Sequence, residues 1–263
     1  MTSRLRVTHL TWQDFAAAVQ RNPIVIVPCG AVEQHGPHLP LGVDAMLSEA
    51  IALDVARRIG GLVMPTLTYG YKSMPKSGGG PRFSGTTNLD GATYSGLVAN
   101  VLGELVRHGV RRIAFLNGHL ENQWFLNEGI DGAVQRAQAP PLRVVRIEYW
   151  DVLPPDLLTA IFPEGLNITY EHAAVMETSL MLHYFPDLVR TDRIPDEPTY
   201  PYPPYDVFPA DPTWGPQGGA LSPAVGASAD KGRRLADAVV SGVSEALCQA
   251  FPESPEGPPA RPG

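Results

Sequence analysis

Short apolar runs alternate along this chain with longer segments whose apolar residues recur every three or four positions, which predicts strands followed by helices. The first run, Ile-Val-Ile-Val at 24–27, reads as a buried strand. A loop punctuated by Pro and Gly follows, then a predicted helix over 46–58 with Leu47, Ile51 and Val55 four residues apart and Gly60-Gly61 as its stop. Residues 62–68 read as a second strand. The helix predicted over 90–108 has the clearest stripe, including Val98, Leu102 and Leu105, and ends at Gly109. Strand 113–116, a helix to about 137, strand 142–149, helix 173–184 and a last helix over 227–251 continue the pattern. Near the start, Thr11 with Asp14 three residues on reads as a capping box that opens a short helix. Such repetition predicts one α/β domain over 1–251, a three-layer α/β/α arrangement around a largely parallel sheet. Eight prolines between 195 and 216 exclude regular structure there, leaving an ordered connection or a disordered arm, and the Pro-rich tail 252–263 is expected to be disordered.

Composition narrows the class without naming a chemistry. The 263 residues are 44% hydrophobic and 18% charged, ordinary for a globular protein. A net charge of -7 with no basic run argues against a nucleic-acid partner and leaves small polar substrates open. No apolar run approaches the roughly 20 residues of a membrane helix and no signal-peptide core follows Met1, so the expected address is cytoplasmic, without a membrane partner. Cys29 and Cys248 are too few for a disulfide scaffold. Neither a phosphate loop nor a dinucleotide fingerprint is present, and no Gly-x-Ser-x-Gly elbow supports a serine hydrolase.

The chemistry gathers in two loops. Glu33, His35, His38 and Asp44 share the loop after the first strand, and Asn117-Gly118-His119-Leu120-Glu121-Asn122 follows the strand at 113–116. In extended backbone the two-residue spacing of Glu33/His35 and of His119/Glu121 aims both members of a pair at one side. Open α/β sheets place ligands beyond the carboxyl ends of their strands, and nitrogen and oxygen donors suit Zn²⁺ or Mn²⁺. Two such pairs plus Asp44 suit two metal ions sharing one carboxylate and a water, against the plainer reading of polar surface loops. Between them, the long stretch holding Lys72-Ser73 and Ser77-Gly78-Gly79-Gly80 is a functional or mobile loop. On their own, Trp150 reads as a core aromatic and His172 as an ordinary histidine at a helix start; Glu177 is expected buried near the site.

The strings Glu33-Gln34-His35-Gly36-Pro37-His38-Leu39-Pro40-Leu41-Gly42-Val43-Asp44 and Asn117-Gly118-His119-Leu120-Glu121-Asn122 resemble the two metal motifs of the creatininase family. Tyr149-Trp150-Asp151, Glu171-His172-Ala173 and Pro204-Tyr205-Asp206-Val207-Phe208-Pro209 extend the similarity over nearly the whole chain. The resemblance implies two divalent ions per chain, Zn²⁺ or Mn²⁺, with Glu33 and His119 on one, His35 and Glu121 on the other, and Asp44 bridging. His38 has no ligand counterpart and is left to support or loop packing. It also implies a catalytic role for Glu121, a proton-transfer role for His172, whose ordinary pKa near 6.5 suits it, and substrate contacts from Ser77 and Trp150. The implied reaction opens a cyclic amide, most concretely creatinine to creatine, in a homohexamer. One departure stands out. The family's flap tryptophan has no counterpart in Leu166-Asn167-Ile168-Thr169-Tyr170-Glu171, where Ile168 or Tyr170 takes its place. That departure keeps open another lactam, a formamide or a related carbonyl substrate. An inert metal-binding or assembly protein is the alternative of a different class.

Overall fold

The first strand, β1 (Ile24–Cys29), is buried along its whole length, and its side chains divide between two apolar layers. Ile24 and Ile26 pack with one helix layer, whereas Val25, Val27 and Cys29 pack with the other. The computed structural model describes residues 5–252 apart from 78, 79, 81, 138–140, 202, 212 and 214. β2 (Leu62–Val63), β3 (Arg112–Asn117) and β4 (Arg143–Glu148) join β1 in the order β2-β1-β3-β4, every pairing parallel. On one face lie α2 (Val43–Ile59), α6 (Val175–Tyr184) and α7 (Ala229–Ala250); on the other lie α1 (Trp12–Val19), α3 (Gly91–Arg107) and α4 (Asn122–Ala137). The three-layer α/β/α expectation therefore holds. Continuous apolar strands are what a parallel sheet covered on both faces requires.

Local chemistry explains the element ends. Thr11, Asp90 and Ser228 cap α1, α3 and α7, each accepting from a backbone N–H three residues on. Gly60 closes α2 in the left-handed region at φ 70°. The strand expected over 62–68 shrinks to the two residues of β2 because Pro65 has no N–H for the ladder, and beyond it only Leu67 makes an isolated bridge, to Cys29. The short α5 (Pro155–Ile161) was not visible as a periodic stripe. α6 begins two residues later than expected, since Ala173 sits at φ 55° and cannot be helical. In the Pro-rich stretch the described Tyr200 is tied to the fold, its N–H donating to Leu221 O at 2.8 Å, and Leu221 N–H donates in turn to His172 O at 3.0 Å. The tail expected to be disordered lies, from 253 on, outside the described residues.

Register decides what meets at the carboxyl edge. Cys29 pairs with Asn117, and Asn117 with Glu148, so three loops leave the sheet side by side.

Candidate active site

Glycine and backbone packing bring the first loop back onto its own strand. A Cβ on Gly30 would stand 2.3 Å from Ala45 N, so only glycine lets the first turn of α2 rest on the end of β1. That contact sets Asp44, buried in the first turn of α2, beside Glu33 and His35. Glu33 is anchored by its N–H to Leu41 O at 2.9 Å, and Ser73 Oγ donates to its carboxylate. The second loop is tied to the first by Gly118 N–H donating to Cys29 O at 2.8 Å. The Asn117 side chain braces it, donating to His119 O at 2.7 Å and accepting from His119 N–H at 3.2 Å.

Two imidazoles face one carboxylate. Asp44 Oδ1 lies 2.9 Å from His35 Nε2, and Asp44 Oδ2 lies 3.1 Å from His119 Nδ1. His119 Nδ1 is also 3.2 Å from Glu33 Oε1. The outer nitrogen of each ring meets a backbone carbonyl, His35 Nδ1 at Glu33 O (3.1 Å) and His119 Nε2 at Tyr71 O (2.8 Å). A carbonyl only accepts, so each outer nitrogen carries a hydrogen, which leaves each inner one free to offer its lone pair to a bound cation, as metal-binding histidines do.

The residues fit divalent cations. Donor atoms of Glu33, Asp44 and His119 all lie within 4.8 Å of one another, as do those of His35, Asp44 and Glu177. Among the described residues, the buried His35 Nε2 and Asp44 Oδ2 have no partner in hydrogen-bond geometry. The cluster demands positive charge. Burial alone would raise the Glu33 carboxyl, but His119, His172 and His35 hold it well below the usual range. Burial would likewise lower His35, yet Asp44, Glu177 and Glu33 push it up to about 10, and His119 is raised by Glu33, Asp44 and Glu121 against the same burial. Buried carboxylates that pull protons onto neighbouring imidazoles are groups a cation would neutralise directly.

Two further carboxylates flank the rings. Glu177 stands beside His35, with Oε2 3.8 Å from Nε2. Ala173 N–H donates to that oxygen at 2.6 Å, an orientation made by the positive φ of Ala173. Glu121 lies instead on the His119 flank, Oε2 3.6 Å from Nε2, and accepts from Ser77 Oγ at 2.8 Å and Met74 N–H at 3.2 Å. Burial raises the Glu177 carboxyl to about 7.

A cavity of about 270 Å³ opens over these groups, just under the roughly 300–1,000 Å³ typical of drug-sized ligands. Ser77, Trp150, Ile168, Thr169 and His172 line it, with Leu221 from the segment after the Pro-rich connection. Tyr170 is outside the lining: the 3-10 turn Ile168–Tyr170 advances about 120° per residue, so Ile168 and Thr169 face the cavity and Tyr170 does not. His172 is 15% exposed, with Nδ1 3.6 Å from Glu33 Oε1 and its ring centroid 4.5 Å from that of His35. Burial, helped by His35, lowers its pKa to about 4. His38 is buried behind the site at 2.8 Å from Thr178 Oγ1, in the supporting place expected of it. Ser73, Gln34 and Leu221 were not singled out by sequence, because nothing local marks a serine or glutamine whose partner lies tens of residues away.

The creatininase family model, described as creatinine amidohydrolase, matches residues 8–247. The creatinine amidohydrolase of Pseudomonas putida is 47% identical over 258 residues, covering 96% of this chain and 99% of that protein. A glutamate-to-glutamine variant of creatininase complexed with creatine has a TM-score of 0.91 at 46% identity, covering 95% of this chain and 100% of that one. A Zn-Zn form of the same kind of variant (99% of that chain) and a Mn creatininase (100%) each reach 0.92 at 46% identity over 95% of this chain.

Proposed function

This chain belongs to the creatininase family, and from that premise we propose that it opens creatinine to creatine as a metal-dependent amidohydrolase. The observation that carries the reading is the Asp44 carboxylate set between His35 Nε2 and His119 Nδ1, at 2.9 and 3.1 Å, with both rings keyed by backbone carbonyls. Glu33, His119 and Asp44 would hold one divalent ion, and His35 with Asp44 the other, completed by Glu121 or Glu177. Zn²⁺ and Mn²⁺ both suit these donors. When bound, the ions supply a water that ionises near neutral pH and a Lewis acid for the carbonyl oxygen.

The chain's own residues do the rest. Hydrolysis places the water's hydroxyl on the carbonyl carbon and its remaining proton on the ring nitrogen as the C–N bond breaks. His172, at the cavity wall beside Glu33, is assigned to the leaving nitrogen, whose departure requires that proton. Trp150 and Ile168 flank the substrate, and Ser77 orients it while holding Glu121 in place. The Pro-rich connection, with Tyr205 and Phe208 exposed on it, supports a homohexamer that buries such aromatics. Among the described residues no helix is long and apolar enough to cross a membrane, and the proposed location is the cytoplasm. A single catalytic domain spans 1–251.

Ile168 favours a second reading, a smaller or less planar cyclic amide, because an isoleucine covers a flat ring with less surface than a tryptophan does. Incubation of the zinc- or manganese-loaded protein with creatinine, with creatine measured, tests the first reading. Turnover with about two ions per chain is expected; full metal loading without creatine favours the second, and no bound metal defeats both.

A further inference from the structure

Three histidines face the cluster, and one of them is keyed in the opposite sense. Donor atoms of His172, Glu33 and His35 lie within 4.8 Å of one another, close enough to offer a third ligand group. Its outer nitrogen, however, does not meet a carbonyl. His172 Nε2 lies 2.8 Å from Gln34 Nε2.

Which way that amide faces is fixed by two backbone groups. Gly36 N–H donates to Gln34 Oε1 at 2.9 Å, and Gln34 Nε2 donates to Gly219 O at 2.9 Å. Turning the amide over would set oxygen against oxygen at Gly219 and N–H against N–H at Gly36. The fit leaves no slack: Gly219 is at φ +89°, and a Cβ there would stand 1.9 Å from Gln34 Oε1. The segment that follows the Pro-rich connection thus closes onto Gln34 at Gly219, where a side chain would collide with the amide. An amide nitrogen only donates, so His172 Nε2 must accept, and a hydrogen on it would meet the amide's N–H head on.

We infer that Gln34, clamped by Gly36 and Gly219, is a positioning residue that holds His172 as a neutral imidazole with its hydrogen on Nδ1, presenting an N–H donor to the reaction where His35 and His119 present lone pairs. This rests on the assignment of His172 to the leaving nitrogen and narrows it. His172 stabilises charge on the reacting atoms through a hydrogen bond, as neutral imidazoles do in other enzymes, and the same keying withholds it from the metals. The water supplies both fragments, hydroxyl to carbon and proton to ring nitrogen, so His172 ends the cycle neutral, as it began.

Long-range ¹H–¹⁵N correlation spectra of the zinc-loaded protein, labelled in its seven histidines, test this directly. The signals lost in a His172→Asn spectrum identify the residue. A protonated Nδ1 and bare Nε2 are expected; a protonated Nε2 on His172 overturns the proposal with no variant of Gln34 required. Gln34→Glu supplies the kinetic test, since its carboxylate accepts from Nε2 and recruits the hydrogen there. With metal content checked, kcat should fall about 10²-fold or more with KM little changed, wrong tautomers being costly elsewhere. Unchanged or higher kcat in Gln34→Glu would mean that His172 works as a cation and would also overturn the clamp. Full activity in His172→Ala defeats the assignment of His172 itself, an outcome the tautomer spectrum does not depend on.

Discussion

Two walls of the same cavity are built in different ways. The sheet-edge wall carries Glu33, His35, Asp44 and His119, hung on loops whose roots are paired strand ends, Cys29 with Asn117 and Asn117 with Glu148. Its side chains are buried and held by a hydrogen bond from Ser73 to Glu33 and by the two imidazoles donating to backbone carbonyls, while Asn117 braces the His119 backbone. The covering wall, from Ile168 to His172, is a single 3-10 turn and a loop, with Ile168 37% exposed. Its rigidity is borrowed from Gln34, Leu221 and the turn at Ala173. Reaction class belongs to the wall that folding holds most tightly, and choice of substrate to the wall that is cheapest to alter.

The largest effect that comparison predicts is at Asp44. Asp44→Ala should strip bound metal and lower kcat/KM by at least about 10³-fold, several kcal/mol of transition-state stabilisation. Elemental analysis beside the creatine assay reads both, and full metal content in this variant would break the idea of a shared carboxylate. Next comes the covering wall's polar group. His172→Ala should cost about 10²–10³-fold in kcat, the range for losing one oriented donor, with metal content intact. Metal loss there would mean the two walls are not separable.

Smaller effects sharpen the contrast. Ser73→Ala removes the donor on Glu33 and should weaken metal affinity by about 10–100-fold, as for other groups that orient a ligand; competition with a chelator measures it. Ile168→Trp should lower KM for creatinine by about 2–10-fold, the worth of one added aromatic contact, without moving metal affinity. An unchanged or higher KM would point away from a flat ring as the substrate.

Much of this was legible beforehand. The strand at 24–27 and the stripes of α3 and α7 carry periodicities that burial enforces residue by residue, so they appear in sequence. Five candidate ligands were visible because four of them, in two pairs, follow closely on strands and Asp44 closes the first of those loops. Less legible were the partners. Ser73 meets Glu33 across 40 positions and Gln34 meets Gly219 across 185, separations over which no local pattern is written. That Ile168 and Thr169 line the cavity and Tyr170 does not was hidden for a similar reason, since a three-residue turn shows only in three dimensions which of its side chains faces inward.

Sequence by itself determined the layers, the largely parallel sheet and a candidate donor set, since hydrophobic period and loop chemistry act over a few residues. Tertiary structure alone decided how each imidazole is used. A histidine's chemistry depends on which nitrogen holds the hydrogen, and that is set by whatever lies against the far side of the ring: a carbonyl behind His35 and His119, an amide N–H behind His172.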